Sequence, residues 1–115
     1  MSVKRFKIGP RMSQGILSNG LLFTSAQVAN DFKVDAAEQT RQTLDKIDAL
    51  LAEAGTSKAN VLQATILLSS MEHYAAMNAV WDAWIVPGAP PSRLCYETKF
   101  SLPTILVEIA VVASV

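Results

Sequence analysis

The segment that most restricts the fold of this chain is the C-terminal run at residues 105–112, Ile-Leu-Val-Glu-Ile-Ala-Val-Val. Its length and β-branched content predict a strand, in which successive side chains point to opposite faces of a sheet. Both faces of this strand would be apolar except at Glu108. A strand that is apolar on both sides has to be covered on both sides. The sequence therefore predicts a layered domain in which Glu108 lies on a covered face.

The rest of the chain predicts further strands and two helices in the order β-β-β-α-β-α-β-β, with no repeat and no linker. Strands are expected at residues 5–8, 15–18, 21–26 and 60–68, with two more in the C-terminal third on either side of a turn at residues 101–104. Helices are expected at residues 34–54 and from Ser69 or Ser70 to just before Pro87-Gly88, the second with an apolar stripe that includes Tyr74.

Short-range signals support these boundaries. Asn19-Gly20 favours a two-residue hairpin turn, because both residues tolerate a positive φ. Asp35 with Glu38 resembles a capping box at the start of the long helix, and Gly55 suits the left-handed position after its end. The polar face of that helix, which includes Asp48, is expected to be solvated.

Two helices can cover only one face of a sheet of this size. The fold class is therefore α/β, more strictly α+β, with a mixed sheet and both helices on one face. In a monomer the other face would keep a large apolar patch. We expect other copies of the chain to cover it.

Composition limits the possible functions. The length of 115 residues supports a single domain over residues 1–115, and ten Lys/Arg balance ten Asp/Glu without a basic cluster, so nucleic-acid binding is not expected. One cysteine, Cys95, and one histidine, His73, exclude an intrachain disulfide and leave no basis for a metal site or a Ser-His-Asp triad. No apolar run has the length of a membrane span or a signal core, so we expect a cytoplasmic protein.

The two charges in the C-terminal strands are the candidate functional residues. Arg93 offers a planar fork that fits a carboxylate, and a buried Glu108 would have a raised pKa suited to handling a proton. Three structural alternatives remain open at this stage. Arg93 and Glu108 could form an internal ion pair, or both charges could simply reach solvent. Alternatively, Glu97, which shares the strand parity of Arg93, could neutralise the arginine.

Several motifs resemble the RidA/YjgF family of reactive-intermediate deaminases over nearly the whole chain. The most specific is Arg93-x-Cys95 followed by a strand that contains Glu108. The Trp81-Asp82-Ala83-Trp84 element is most similar to the compact YoaB-like branch. The other matching segments are Gln14-Gly15, residues 23–28, residues 38–45, residues 61–68, Met77-Asn78 and Pro91-Ser92.

This resemblance implies a chorismate-mutase-like fold and a homotrimer with sites in the clefts between subunits. It implies hydrolysis of small 2-imino or enamine acids, such as 2-aminoacrylate, to 2-keto acids and ammonia, without a metal or cofactor. By the resemblance, Arg93 binds the substrate carboxylate and Glu108 positions or activates water. Cys95 lines the pocket and Asn78 lies at its edge.

The resemblance also implies that Ser25 and Ala26 contact the ligand through their backbone. Two positions depart from the family pattern. The pocket tyrosine of a Tyr-x-Gln-Gly element is Met12 here, which removes a hydroxyl, and the glycine of a Ser-Gly pair is Ala26, which narrows the approach to a backbone amide.

These departures leave two functions open. The first is a trimeric deaminase of the 2-iminobutanoate/2-iminopropanoate type. The second is a non-catalytic trimer that binds a small carboxylate, such as a 2-keto acid, as a sensor or regulator. A ribonuclease activity, which the resemblance also associates with some relatives, finds little support in the balanced charge.

Overall fold

A computed structural model describes residues 2–115 and contains the predicted order of elements. The strands and helices are β1 (Val3–Ile8), β2 (Ser13–Ser18), β3 (Leu21–Thr24), α1 (Ala36–Ala54), β4 (Val61–Leu68), α2 (Tyr74–Trp84), β5 (Ser92–Glu97) and β6 (Val107–Ser114). Single 3₁₀ turns at Lys58–Asn60 and Met71–His73 lead into β4 and α2. Neither helix has the length and apolar content that crossing a bilayer requires.

The strands form one mixed sheet in the order β1-β2-β3-β6-β4-β5. All neighbouring strands are antiparallel except β4 and β5, which are parallel and are connected through α2. The C-terminal strand β6 lies in the interior of the sheet, between β3 and β4. The strand that carries Arg93, β5, lies at an edge.

The local signals in the sequence are confirmed. Asn19 and Gly20 have φ angles of 54° and 76° and close the β2–β3 hairpin. An Asp35 carboxylate oxygen accepts a hydrogen bond from the Glu38 backbone N–H at 2.9 Å, which caps α1. Gly55 has a φ of 88° and ends the helix. Helix α2 ends at Trp84, earlier than Pro87-Gly88 predicted.

Both helices pack on one face of the sheet, as predicted. The buried side chains from helices and strands form a single cluster, which gives one continuous apolar core. Helix α1 contributes Leu44, Ile47 and Leu51, α2 contributes Met77 and Trp81, and the central strands contribute Ala64, Ile66, Leu68, Val107, Ile109 and Val111.

The opposite face of the sheet, which we call the bare face, carries no helix. Phe23, Leu94 and Tyr96 are 45%, 53% and 53% exposed there. The strand register places Leu94 next to Thr65 and Tyr96 next to Leu67, so these side chains adjoin one another across β4 and β5. The predicted apolar patch on a single copy is therefore present.

One strand prediction was wrong at its start. In the strand predicted at residues 60–68, alternation places Leu62 on the same face as Ala64, but Leu62 is 48% exposed. A bulge shifts the β4–β6 register between Val61 and Gln63, so Val61 takes the inward position and is 5% exposed. A single extra residue in a strand reverses the direction of the side chains before it, and alternation alone does not predict where this happens.

Candidate functional site

Arg93 lies on the helix-covered face of the edge strand β5, where the register places it beside the buried Ala64. Its Nη1 donates to Oδ1 of Asn78 at 2.8 Å and its Nη2 donates to the hydroxyl oxygen of Tyr74 at 3.1 Å. The guanidinium carbon is 5.5 Å from the ring centroid of Trp81 and 5.8 Å from that of Tyr74. Side chains of α2 therefore hold the guanidinium through hydrogen bonds to uncharged acceptors and through cation–π contacts.

No carboxylate neutralises Arg93 among residues 2–115. The ion pairs there join Lys7 to Glu53 and Arg41 to Glu38, and the Glu72 carboxylate lies 4.0 Å from Nε2 of His73. Glu97, the alternative structural partner, instead accepts a hydrogen bond from the Met71 backbone N–H at 2.9 Å. Arg93 has five N–H donors, of which two are used, so its charge and the rest of its fork are free to bind an anion.

Glu108 lies on the bare face of the central strand β6. The register places it beside Leu67 of β4, and it is half-buried. Burial raises the pKa of its carboxyl group. Within the described part of the chain, no hydrogen bond or ion pair reaches this carboxyl. Every fully buried side-chain oxygen in this part of the chain has a hydrogen-bond partner. Since the Glu108 oxygens have none, they must be accessible at the surface of the bare face.

Arg93 and Glu108 are therefore not brought together within one chain. Their strands are separated by β4, and the two side chains point to opposite faces of the sheet. The alternative of an internal ion pair is wrong for a single copy. A site that uses both residues has to be formed by two copies of the chain.

Cys95 accompanies Arg93 on the same face of β5, two residues further along the strand and beside the buried Ile66. Burial raises the pKa of its thiol, and the charge of Arg93 offsets part of that rise. A thiol with a raised pKa is a poor nucleophile at neutral pH, so the environment of Cys95 suits a residue that lines a pocket.

Met12, Ser25 and Ala26 form a second group, on the other side of the molecule from β5. The Ser25 hydroxyl donates to the Ser13 carbonyl at 2.7 Å, which fixes the end of β3 against β2. Met12 and Ala26 line a surface cleft of about 580 Å³ together with Gln27.

Gln27 connects this cleft to the strand of Glu108. Its backbone N–H donates to the Ile109 carbonyl at 2.8 Å, and the Ile109 N–H donates to its carbonyl at 3.1 Å. Its side-chain amide donates to Gln14 at 2.8 Å. The predicted site residues thus do not form one group. The first half-site is Arg93, Asn78 and Cys95 on the helix-covered face, and the second is Glu108 on the bare face of β6. Met12 and Ala26 lie apart from Glu108, because their cleft is also lined by Lys46, Ala49 and Leu50 of α1.

Sequence reasoning missed Tyr74, which was assigned to the apolar stripe of α2. It is instead 38% exposed and its hydroxyl contacts Arg93. The helical spacing carried a signal, because Tyr74, Asn78 and Trp81 follow one another at intervals of four and three residues and so share one helix face. Among residues 2–115, no three acidic, histidine or cysteine side chains are grouped as metal ligands.

The sequence matches the family described as Endoribonuclease L-PSP over residues 4–115. It is 38% identical to the RutC family protein YoaB of Escherichia coli over 115 residues, which cover 100% of both chains. The structure of a YjgF family protein from Neisseria meningitidis has a TM-score of 0.95 and 44% identity, covering 99% of this chain and 95% of that one. The structure of YyfA, a Rid family protein from Yersinia pestis, has a TM-score of 0.85 and 34% identity, covering 94% and 90%.

Proposed function

The chain belongs to the YjgF/RidA family, described as Endoribonuclease L-PSP, and on this premise we propose that it hydrolyses small 2-imino acids to 2-keto acids and ammonia. The active sites would lie in clefts between the subunits of a homotrimer. The single observation that carries this proposal is the separation of Arg93 from Glu108. Each has the chemistry of one half of such a site, and neither is completed within its own chain.

The first half-site supports binding of the substrate carboxylate. A carboxylate pairs with a guanidinium through two parallel hydrogen bonds, which fix its orientation as well as its position. Arg93 is already held by Asn78 and by the ring of Trp81, so little side-chain entropy would be lost when the ligand binds. Because Asn78, Tyr74 and Trp81 are uncharged, they do not neutralise the guanidinium, and its positive charge remains available to a carboxylate ligand.

The second half-site supports the transfer of protons. Water adds to the imine carbon, and the carboxylate of Glu108 accepts the proton that the water loses. Glu108 then returns this proton to the nitrogen, which gives a carbinolamine. In a second transfer the carboxylate takes the proton of the new hydroxyl group and delivers it to the nitrogen as the carbon–nitrogen bond breaks, so that ammonia and a 2-keto acid are released. A general base works best when its pKa lies near the working pH, and burial shifts the pKa of Glu108 in that direction.

The apolar bare face supports the trimer. Phe23, Leu94 and Tyr96 would be removed from water when copies pack on one another. In the same step the face that carries Glu108 would approach a neighbouring copy. Assembly and formation of the site would then be one event.

A second candidate function is binding of a 2-keto acid without turnover. Met12, in the cleft beside α1, provides no hydroxyl to orient a water molecule or a ligand. In such a protein the Arg93 half-site would still hold a carboxylate. RNA cleavage is not proposed, because ten basic residues are balanced by ten acidic ones.

One assay separates these functions. Purified protein is added to freshly generated 2-iminopropanoate, and the release of pyruvate is followed. We expect the wild-type chain to accelerate release and Arg93→Ala to abolish the acceleration while the protein remains trimeric. Arg11→Ala, which changes an exposed arginine, is the matched control. Pyruvate binding without acceleration would favour the binding protein, and full activity of Arg93→Ala would exclude the proposed site.

A further inference from the structure

We propose that the Tyr74 hydroxyl is a ligand-binding group that donates a hydrogen bond to the carboxylate held by Arg93. The inference rests on the proposed function, in that it requires a carboxylate ligand at Arg93. It adds a residue of α2 that contacts the ligand directly. The starting observation is that the hydroxyl oxygen of Tyr74 accepts a hydrogen bond from Nη2 of Arg93 at 3.1 Å.

This contact leaves the proton of the hydroxyl unused. A phenol group can accept a hydrogen bond and donate one at the same time. Toward Arg93 it can only accept, because a guanidinium has no acceptor. The contact with Arg93 is the one hydrogen bond that the hydroxyl makes within residues 2–115. Its O–H is therefore available to a ligand.

The position of the hydroxyl fits this role. It lies within hydrogen-bond distance of one arm of the fork, and the guanidinium carbon is 5.8 Å from the centroid of its ring. An oxygen that accepts from the remaining N–H of Nη2 would lie close enough to accept from the hydroxyl as well. Tyr74 is 38% exposed, so a ligand can reach it from solvent.

Asn78 and Tyr74 each accept a hydrogen bond from a different nitrogen of the Arg93 guanidinium. The Asn78 amide oxygen holds Nη1 at 2.8 Å and has no proton to give at that atom. Tyr74 holds Nη2 and retains a proton. The charged guanidinium of Arg93 and the neutral hydroxyl of Tyr74 are therefore adjacent hydrogen-bond donors. A carboxylate could place one oxygen on the guanidinium alone, and its second oxygen could accept from both the guanidinium and the hydroxyl.

The test is pyruvate binding to the full-length chain, measured by calorimetry, which does not depend on turnover. Tyr74→Phe keeps the ring and removes only the hydroxyl. We expect it to weaken pyruvate binding on the order of 10-fold, the usual loss for a hydrogen bond to a charged group. The control is Ser57→Ala, which removes an exposed hydroxyl in the turn before β4 and should leave affinity unchanged.

A further variant separates ligand contact from simple support of Arg93. Tyr74→3-fluorotyrosine makes the hydroxyl a stronger donor and a weaker acceptor. If the hydroxyl donates to the ligand, this variant should bind pyruvate more tightly than wild type. If the hydroxyl only supports Arg93, binding becomes weaker, and the inference is wrong.

The remaining outcomes also decide the matter. If the wild-type chain binds pyruvate and Tyr74→Phe binds it equally well, the inference fails and the proposed function stands. If the wild-type chain binds no pyruvate, the Arg93 carboxylate site fails, and the role of Tyr74 fails with it.

Discussion

The candidate charged residues on the two faces of the sheet differ in whether their own chain provides contacts for them. On the helix-covered face, Arg93 is held by Asn78, Tyr74 and Trp81. On the bare face, Glu108 has a raised pKa and no partner within the described chain. The arginine half-site is thus organised by the fold of one copy, whereas the glutamate half-site is left incomplete. In the proposed function, a neighbouring copy would complete the surroundings of Glu108.

Activity tests this comparison with the largest expected effect. Glu108→Gln should reduce imine hydrolysis by roughly 10²- to 10⁴-fold, the usual contribution of a positioned acid–base group. Arg93→Ala should abolish the measurable acceleration, because the substrate carboxylate loses the group that binds and orients it. If each site joins Arg93 of one copy to Glu108 of another, mixed trimers of the two inactive variants should recover activity. Random mixing forms an intact pair at about one interface in four, so about a quarter of wild-type activity is expected.

The control for this experiment is a trimer in which every copy carries both substitutions, taken through the same mixing procedure. It forms no intact pair and should stay inactive. If the mixture of single variants also stays inactive while forming trimers, the two residues do not act together across a subunit boundary.

The apolar character of the bare face is tested next. Leu94→Asp places a charge in the patch and should convert the trimer to a monomer, because an unpaired charge in an apolar interface costs several kcal/mol. Size-exclusion chromatography with light scattering measures the result. Leu102→Asp is the matched control, since Leu102 is 48% exposed but lies in the loop before β6. If Leu94→Asp remains a full trimer, the bare face is not the surface through which copies assemble.

A partnered carboxylate on the helix side sharpens the contrast with Glu108. Asp48, predicted to be solvated, accepts from the indole N–H of Trp84 with both oxygens at 3.1 Å, although burial raises its pKa. Asp48→Leu leaves this N–H unpaired and should cost about 1–3 kcal/mol in the free energy of unfolding, whereas Asp48→Asn keeps an acceptor and should cost less. Chemical denaturation measures both. Neither change should alter the kcat of imine hydrolysis, because Asp48 lies outside the proposed site. A change in kcat would instead show that Asp48 belongs to the site.

The smallest expected effect is a pH dependence of stability. Burial raises the pKa of Glu108 in the folded state, so the folded chain holds this proton at pH values where the unfolded chain has lost it. Its contribution to stability therefore falls as the pH rises from the ordinary glutamate range through the raised pKa. Glu108→Gln removes the titration, and its unfolding midpoint relative to wild type should increase with pH.

Leu67→Gln is the control for this measurement. It places the same amide at a neighbouring position on the bare face and leaves Glu108 in place. Its effect on the midpoint, measured at one fixed protein concentration, should not vary with pH. A Glu108→Gln difference that is constant with pH would show that burial does not perturb this carboxyl.

Much of the fold could be predicted because its signals are local. The Asn19-Gly20 turn, the Asp35 cap and Gly55 at the end of α1 depend on the backbone preferences of a few residues. The position of Leu62 could not be predicted, because a bulge is decided by the match between β4 and β6. The exposure of Tyr74 could not be predicted either, since it depends on where the edge strand β5 places Arg93.

The sequence by itself determined the order of the elements, the two-sided apolar strand β6 and the identity of the two charges with site chemistry. Those properties follow from residue type and from alternation along the chain. Only the tertiary structure decided that Arg93 and Glu108 lie on opposite faces, because strand order and register are set by the packing of distant segments. The same packing brought Tyr74 and Asn78 to Arg93, and so decided which half of the site one copy can build alone.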